Sequence, residues 1–86
     1  MNEMYENLSK IETLIADYIQ KANVVKMADI INYLNDKSFA FQAEFIQNIV
    51  RDLVHKDVLS MKQSPIDTDW TYELSYFYKN FKKSIN

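Results

Sequence analysis

The sequence predicts an α+β domain in which three helices are followed by a two-stranded hairpin and a short terminal helix. Three observations predict it. Apolar residues recur at helical spacing in three separate stretches between Leu8 and Val54. Trp70, Tyr72, Leu74 and Tyr76 alternate with Thr71, Glu73 and Ser75, a period of two that suits a strand. Between these regions, Leu53-Val54-His55-Lys56-Asp57-Val58-Leu59 passes from a helical to an extended rhythm with no glycine to turn it. Eighty-six residues are too few for two cores, so residues 1–86 are read as one domain.

The first stripe is Leu8, Ile11, Leu14/Ile15, Tyr18/Ile19 and Ala22, which lines one face of a helix of roughly four turns. Ser9 and Glu12 fit a Ser-x-x-Glu capping box, with Asn2 and Asn7 as alternative caps. The stripe ends at Asn23. Val24-Val25-Lys26 is short and β-branched, a brief extended piece. Met27, Ile30, Ile31 and Leu34 then give a second, shorter helix closed by Asn35-Asp36. A connector from Lys37 to Phe41 leads to a third helix, with Phe45, Ile46, Ile49, Val50, Leu53 and Val54 on its buried side. Val58 to Gln63 reads as a strand, Ser64 to Asp69 as a loop, and the alternating stretch after it as the second strand. Trp70, Tyr72, Leu74 and Tyr76 share the face expected to cover the helices. From Tyr78 the spacing to Phe81 and Ile85 is helical again.

This order, together with the run from Leu53 to Leu59, resembles the winged helix-turn-helix superfamily over roughly residues 8 to 77. In that family a leucine on the recognition helix is followed by polar residues, a glycine, and two apolar residues that open the wing. Asp57 stands at the glycine position, and Asp is one of the few residues that enters the left-handed region readily. The resemblance implies a third helix that enters the DNA major groove and a wing that touches the backbone. Gln42, Gln47, Asn48 and Arg51 are then the candidate base-reading residues, since Gln and Asn can pair with adenine edges and Arg with guanine or phosphate. Lys26, Lys37, Lys56 and Lys62 are the candidate backbone contacts. A solvated polar face is the competing reading of the same helix, and Glu44 and Asp52 favour it. Because many regulators of this fold dimerise through terminal helices, Tyr5, Tyr18, Phe77 and Phe81 are candidates for a homodimer surface.

Charge tempers the DNA reading. The formal net charge is −2, so no global field gathers nucleic acid. Residues 1–36 carry −3, residues 37–63 carry +1, residues 64–78 carry −3, and the remainder, with Lys79, Lys82 and Lys83, carries +3. Those last lysines either reach a phosphate or keep the end of the chain soluble. The hairpin tip holds Asp67 and Asp69 and no base, which is unusual for a wing lying on phosphates. An acidic protein-interaction module, such as a phage-encoded inhibitor that caps a host nucleic-acid-binding protein, is therefore the alternative function.

Other classes are excluded. The chain has no cysteine and one histidine, so no metal site or disulfide is expected. Asp67-Thr68-Asp69 lacks the glycine and terminal glutamate of a calcium-binding loop. His55 suits a helix end. No nucleophile–base pair or phosphate loop is visible, so neither an enzyme nor a cofactor is expected. No apolar run approaches a membrane span and the acidic start is unlike a secretory signal, so the expected location is cytoplasmic, without a membrane partner. Heavy use of Asn, Lys, Ile, Tyr and Phe points to an AT-rich bacterial or phage source.

Overall fold

A computed structural model describes residues 7–37 and 41–84. Helix α1, Lys10–Ala22, starts at the expected box: the Ser9 N–H donates to Glu12 Oε1 at 2.8 Å and the Glu12 N–H to Ser9 Oγ at 3.2 Å. The two bonds satisfy orphan donors at the helix start and fix its first turn. The helix ends at Asn23, whose φ of 75° and ψ of −66° bring the Val24 N–H to the Ala22 carbonyl at 3.0 Å. That is a γ-turn of the rare, strained hand, and in a chain with no glycine an Asn bears it.

The turn aims Val25–Lys26, strand β1, along the hairpin rather than away from it. Helix α2, Met27–Asp36, follows at once, and its first turn is tied by the Lys26 N–H donating to Asp29 Oδ2 at 2.9 Å. Helix α3, Ala43–His55, then leads into strands β2, Leu59–Gln63, and β3, Trp70–Leu74. Helix α4, Tyr76–Ser84, closes the described chain. The sheet is antiparallel in the order β1-β3-β2, with Val25 opposite Tyr72 on one side and Met61 opposite Tyr72 on the other. The short piece at residue 25 is thus a third strand, which pairs the edge of β3 that the hairpin alone would leave open.

The core joins one stripe from each helix to one face of the sheet. Ile15 and Ile19 of α1, Ile30 and Leu34 of α2, and Ile46, Val50 and Leu53 of α3 are fully buried, together with Val58 and Leu59. Burial of side chains this size stabilises by ~1.5–3 kcal/mol each. Tyr72 and Leu74 cover them from β3, and Tyr78 and Phe81 from α4.

Four expectations need correction. Trp70 is 49% exposed, because β3 runs past the edge of the helical layer before the core begins at Tyr72. Tyr76 is 73% exposed, because it opens a helix rather than ending a strand. Phe45 faces solvent and rests on Phe41, ring centroids 4.9 Å apart, instead of entering the core. Phe81 is a core residue, so it is not available as a surface for a second copy.

The corner after α3 is where helix becomes ribbon. The Val58 N–H donates to the Leu53 carbonyl at 3.0 Å and the Asp57 N–H to the Val54 carbonyl at 3.1 Å, the paired bonds of a Schellman ending. Asp57 occupies its left-handed position with φ 61°. Ser75, itself buried, braces the corner from the junction between β3 and α4. Its N–H donates to the Val58 carbonyl at 2.9 Å, its hydroxyl donates to the Asp57 carbonyl, and its Oγ accepts the Tyr78 N–H at 3.0 Å, capping α4.

Candidate nucleic-acid interface

The outward face of α3 follows from its inward one. With Ile46, Val50 and Leu53 sealed in the core, a period of 3.6 turns Gln47, Asn48 and Arg51 to solvent, and all three are exposed. Arg51 and Asn48 are one turn apart, and the guanidinium donates to Asn48 Oδ1 at a long 3.4 Å. Gln42 is the N-cap residue of the helix and is exposed beside Glu44.

Beside this face runs a groove of about 540 Å³ between the start of α2, the helix α3 and the hairpin. Gln47, Arg51 and Val54 line it from α3, Lys26, Met27 and Ala28 from the start of α2, and Met61, Asp69, Trp70 and Tyr72 from the hairpin. Burial pushes the Tyr72 hydroxyl above its ordinary pKa, and the nearby Arg51 charge partly opposes that shift. The groove therefore sets the Arg51 guanidinium among apolar and aromatic surfaces, with the Lys26–Asp69 pair also in its lining. Neither Met61 nor Trp70 stood out as a site residue in the sequence, because alternation shows which way a strand residue points but not where the core stops.

Of the four lysines expected as backbone contacts, three meet carboxylates and one an aromatic ring. Lys26 Nζ lies 2.7 Å from Asp67 Oδ2 and 3.5 Å from Asp69 Oδ2, so the acidic hairpin tip is drawn onto the start of α2. Its hydrogen bond with Asp67 holds the ammonium above its usual pKa and the Asp67 carboxyl below its own. Lys56 Nζ sits 2.8 Å from Glu12 Oε2 and 2.9 Å from Asp52 Oδ2. Lys62 is 3.7 Å from Glu73. Lys37 lies over the Tyr33 ring, 5.4 Å from its centroid.

Of the residues expected at a homodimer surface, Tyr5 lies outside the described residues. Tyr18 is half-buried and stacked on Tyr33, centroids 4.2 Å apart, which assigns it to the α1–α2 packing. Phe77 is exposed and meets Tyr76 edge to face at 5.8 Å. The lysines of α4 line a second groove of about 350 Å³ with Gln20, Asn23 and Glu73, and Lys82 comes within 4.0 Å of Asp17. Among the described residues there is no cluster of His, Asp and Glu that could hold a metal ion, and no helix is long and apolar enough to cross a membrane.

No protein-family model matches the chain, and no curated protein does. Solved structures do. A MarR-like transcriptional regulator from Thermotoga maritima superposes with a TM-score of 0.78 at 19% identity, over 99% of this chain and 57% of that one. The adhesin competence repressor from Streptococcus pyogenes gives 0.73 at 15% identity, over 96% and 58%. A mutant MarR from E. coli, complexed with operator DNA, gives 0.72 at 11% identity, over 91% and 53%. The fold is a winged helix-turn-helix, α+β, like that of the MarR-type regulators. The chain spans little more than half the length of these structures.

Proposed function

We propose that this protein is a DNA-binding transcriptional regulator that reads duplex DNA with α3 in the major groove. The observation that carries the reading is the exposed row Gln47, Asn48 and Arg51 on α3, a helix whose opposite side is locked into the core. Its 13 residues span about 20 Å, enough for one pass along the groove. Gln47 and Asn48 present an acceptor and a donor together, the pattern an adenine edge requires, and Arg51 suits guanine O6 and N7 or a phosphate. One of the similar structures holds operator DNA, which supports the same reading here. Gln42 at the helix start and Lys37 before it extend the contact toward the backbone. The exposed Phe77 is the part of the expected homodimer surface that stays accessible.

Fluorescence anisotropy on duplex DNA, from low to moderate salt, tests this. Binding that weakens with salt supports it, and no binding at micromolar protein at low salt removes it. Arg51→Ala should weaken binding by ~1–3 kcal/mol. The slope of log affinity against log salt should be shallow. Of the five cationic side chains named for DNA, Lys26, Lys56 and Lys62 already face carboxylates, so a slope of roughly −2 per chain is expected rather than roughly −4.5.

The same three pairs favour a second reading, in which the domain binds a protein. An acidic tip, neutralised lysines and the exposed Phe45, Trp70 and Phe77 suit a partner surface better than a polyphosphate. Recovery of a partner from lysate, with and without nuclease, separates the readings. A partner that survives nuclease supports the second, and one lost on digestion supports the first.

A further inference from the structure

We infer that Lys56 is a positioning residue for the reading helix, acting through Glu12, and does not contact the DNA backbone. The inference rests on the reading of α3 as the DNA-facing helix, and it concerns what holds that helix in place.

Glu12 uses both of its oxygens. Oε1 accepts the Ser9 N–H at 2.8 Å and thereby caps α1, while Oε2 takes the Lys56 ammonium at 2.8 Å. Its residue is only 8% exposed. The Lys56 ammonium also takes Asp52 at 2.9 Å, four residues back on α3. One lysine at the last turn of α3 is thus tied both to its own helix and, across 44 residues of sequence, to the first turn of α1. These three groups carry a net −1, so the cluster repels a phosphate rather than seating one. The Lys56 side chain is also less exposed than that of Lys62, 32% against 67%.

The placement matters because Lys56 lies inside the corner where α3 ends. Lys56 is the C-cap of α3 and Asp57 its left-handed neighbour. Ser75 braces the corner from the sheet side, and Glu12 braces it from the α1 side. Held from both sides, the end of α3 is opposed in any roll about its axis. Arg51, one turn earlier, keeps its direction with it.

Three variants test this. Glu12→Gln keeps an oxygen for the Ser9 N–H, because glutamine also serves at that place in a capping box, but removes the charge that holds Lys56. Lys56→Met removes the ammonium and keeps the stem. Lys56→Arg restores a cation. Two readouts are needed: amide hydrogen exchange over residues 52–57 in the free protein, and anisotropy on a 20-base-pair duplex at several salt concentrations. We expect faster exchange in Glu12→Gln and Lys56→Met, and affinity down about fivefold in each, the size of a mid-range coupling between contacting residues. The salt slope should be unchanged, the double variant no weaker than either single, and Lys56→Arg close to wild type in both readouts. A slope smaller by roughly 1 in Lys56→Met, with Glu12→Gln binding normally, would mean that Lys56 meets a phosphate, and overturns the inference. Unchanged exchange in both variants overturns it as well. If the wild-type chain binds no DNA at any salt, the reading of α3 fails instead, and the exchange data alone decide whether the clamp holds the helix end.

Discussion

The chain reverses direction without glycine at two places near α3, and the two are built in opposite ways. At the corner, residues 55–58, the backbone turns inside the protein. Leu53, Val58 and Leu59 are sealed beneath it, Ser75 bonds to it from just past β3, and Glu12 reaches it from α1. At the hairpin tip, residues 64–69, the backbone turns in water. It is closed by the Ser64 N–H donating to the Asp69 carbonyl at 2.8 Å and by the Asp69 N–H donating to Asp67 Oδ1 at 3.0 Å. Its apolar residue, Ile66, is 92% exposed. The corner is braced by buried residues from two other parts of the chain, whereas the tip is held, beyond its own bonds, by the exposed side chains of Lys26 and Gln63. Since buried apolar area and desolvated hydrogen bonds carry most of the energy, the corner should be costly to disturb and the tip cheap.

Leu53→Ala at the corner should give the largest effect, a loss of ~2–5 kcal/mol in denaturant unfolding, because a fully buried leucine leaves a cavity that its neighbours fill only in part. Ile66→Ala at the tip is the matched control and should stay within ~0.5 kcal/mol of wild type. A comparable loss at both sites would show that the tip is packed against something and would end the contrast.

Ser75→Ala comes next. It removes the donor to the Asp57 carbonyl and the acceptor for the Tyr78 N–H in one change, and should cost ~1–2 kcal/mol, the range for an N-cap serine. Asp57→Val asks whether the left-handed position itself is demanding. At φ 61° a β-branched side chain meets the following carbonyl, so a loss of ~1–2 kcal/mol is expected. Thermal unfolding of both variants checks these values.

Much of this architecture could be read from residue order, and the reasons are local. The box at Ser9 and Glu12, the stripes of α1, α2 and α3, and the left-handed Asp57 all follow from neighbours within five positions, where spacing alone determines geometry. The outward row Gln47, Asn48 and Arg51 was legible for the same reason. What escaped notice depends on distance. Lys56 gave no sign that it would meet Glu12, 44 residues away, nor Lys26 that it would meet Asp67, 41 away. Trp70 and Phe45 were assigned to the core because periodicity gives direction but not depth. Phe81 is a homodimer candidate only by the habit of terminal helices in this fold, whereas α4 folds back and packs Phe81 with Tyr78 into the core.

Acid sharpens the comparison at the corner. Burial raises the Glu12 pKa, but the hydrogen bonds from Lys56 and from Ser9 outweigh it, so its pKa in the folded protein lies below the ordinary 4.5. A carboxyl lowered by folding stabilises the protein above its unfolded-state value, and that contribution is lost as pH falls through the folded-state value. Wild-type melting temperature should therefore fall more steeply than that of Glu12→Gln as pH drops below about 4.5. Parallel curves for the two would show that the clamp carries no linkage.

The smallest effect on stability belongs to the tip, yet it bears most directly on binding. Lys26, Asp67 and Asp69 form an exposed ion pair network, and such pairs contribute little to folding. Asp67→Asn with Asp69→Asn should leave the melting temperature where it is, since asparagine keeps the side-chain oxygen that accepts the Asp69 N–H. On duplex DNA the outcome should be a gain. The two carboxylates neutralise the Lys26 ammonium beside the groove it shares with Arg51, and on the proposed reading that ammonium is then free for a phosphate only once they are removed. Freeing Lys26 and removing two negative charges should tighten binding at low salt and steepen the salt slope by roughly 0.9, the value for one added phosphate contact. Weaker binding in the double variant would mean that the tip's shape matters more than its charge. The hairpin would then resemble the corner after all, as a part whose position the interface requires.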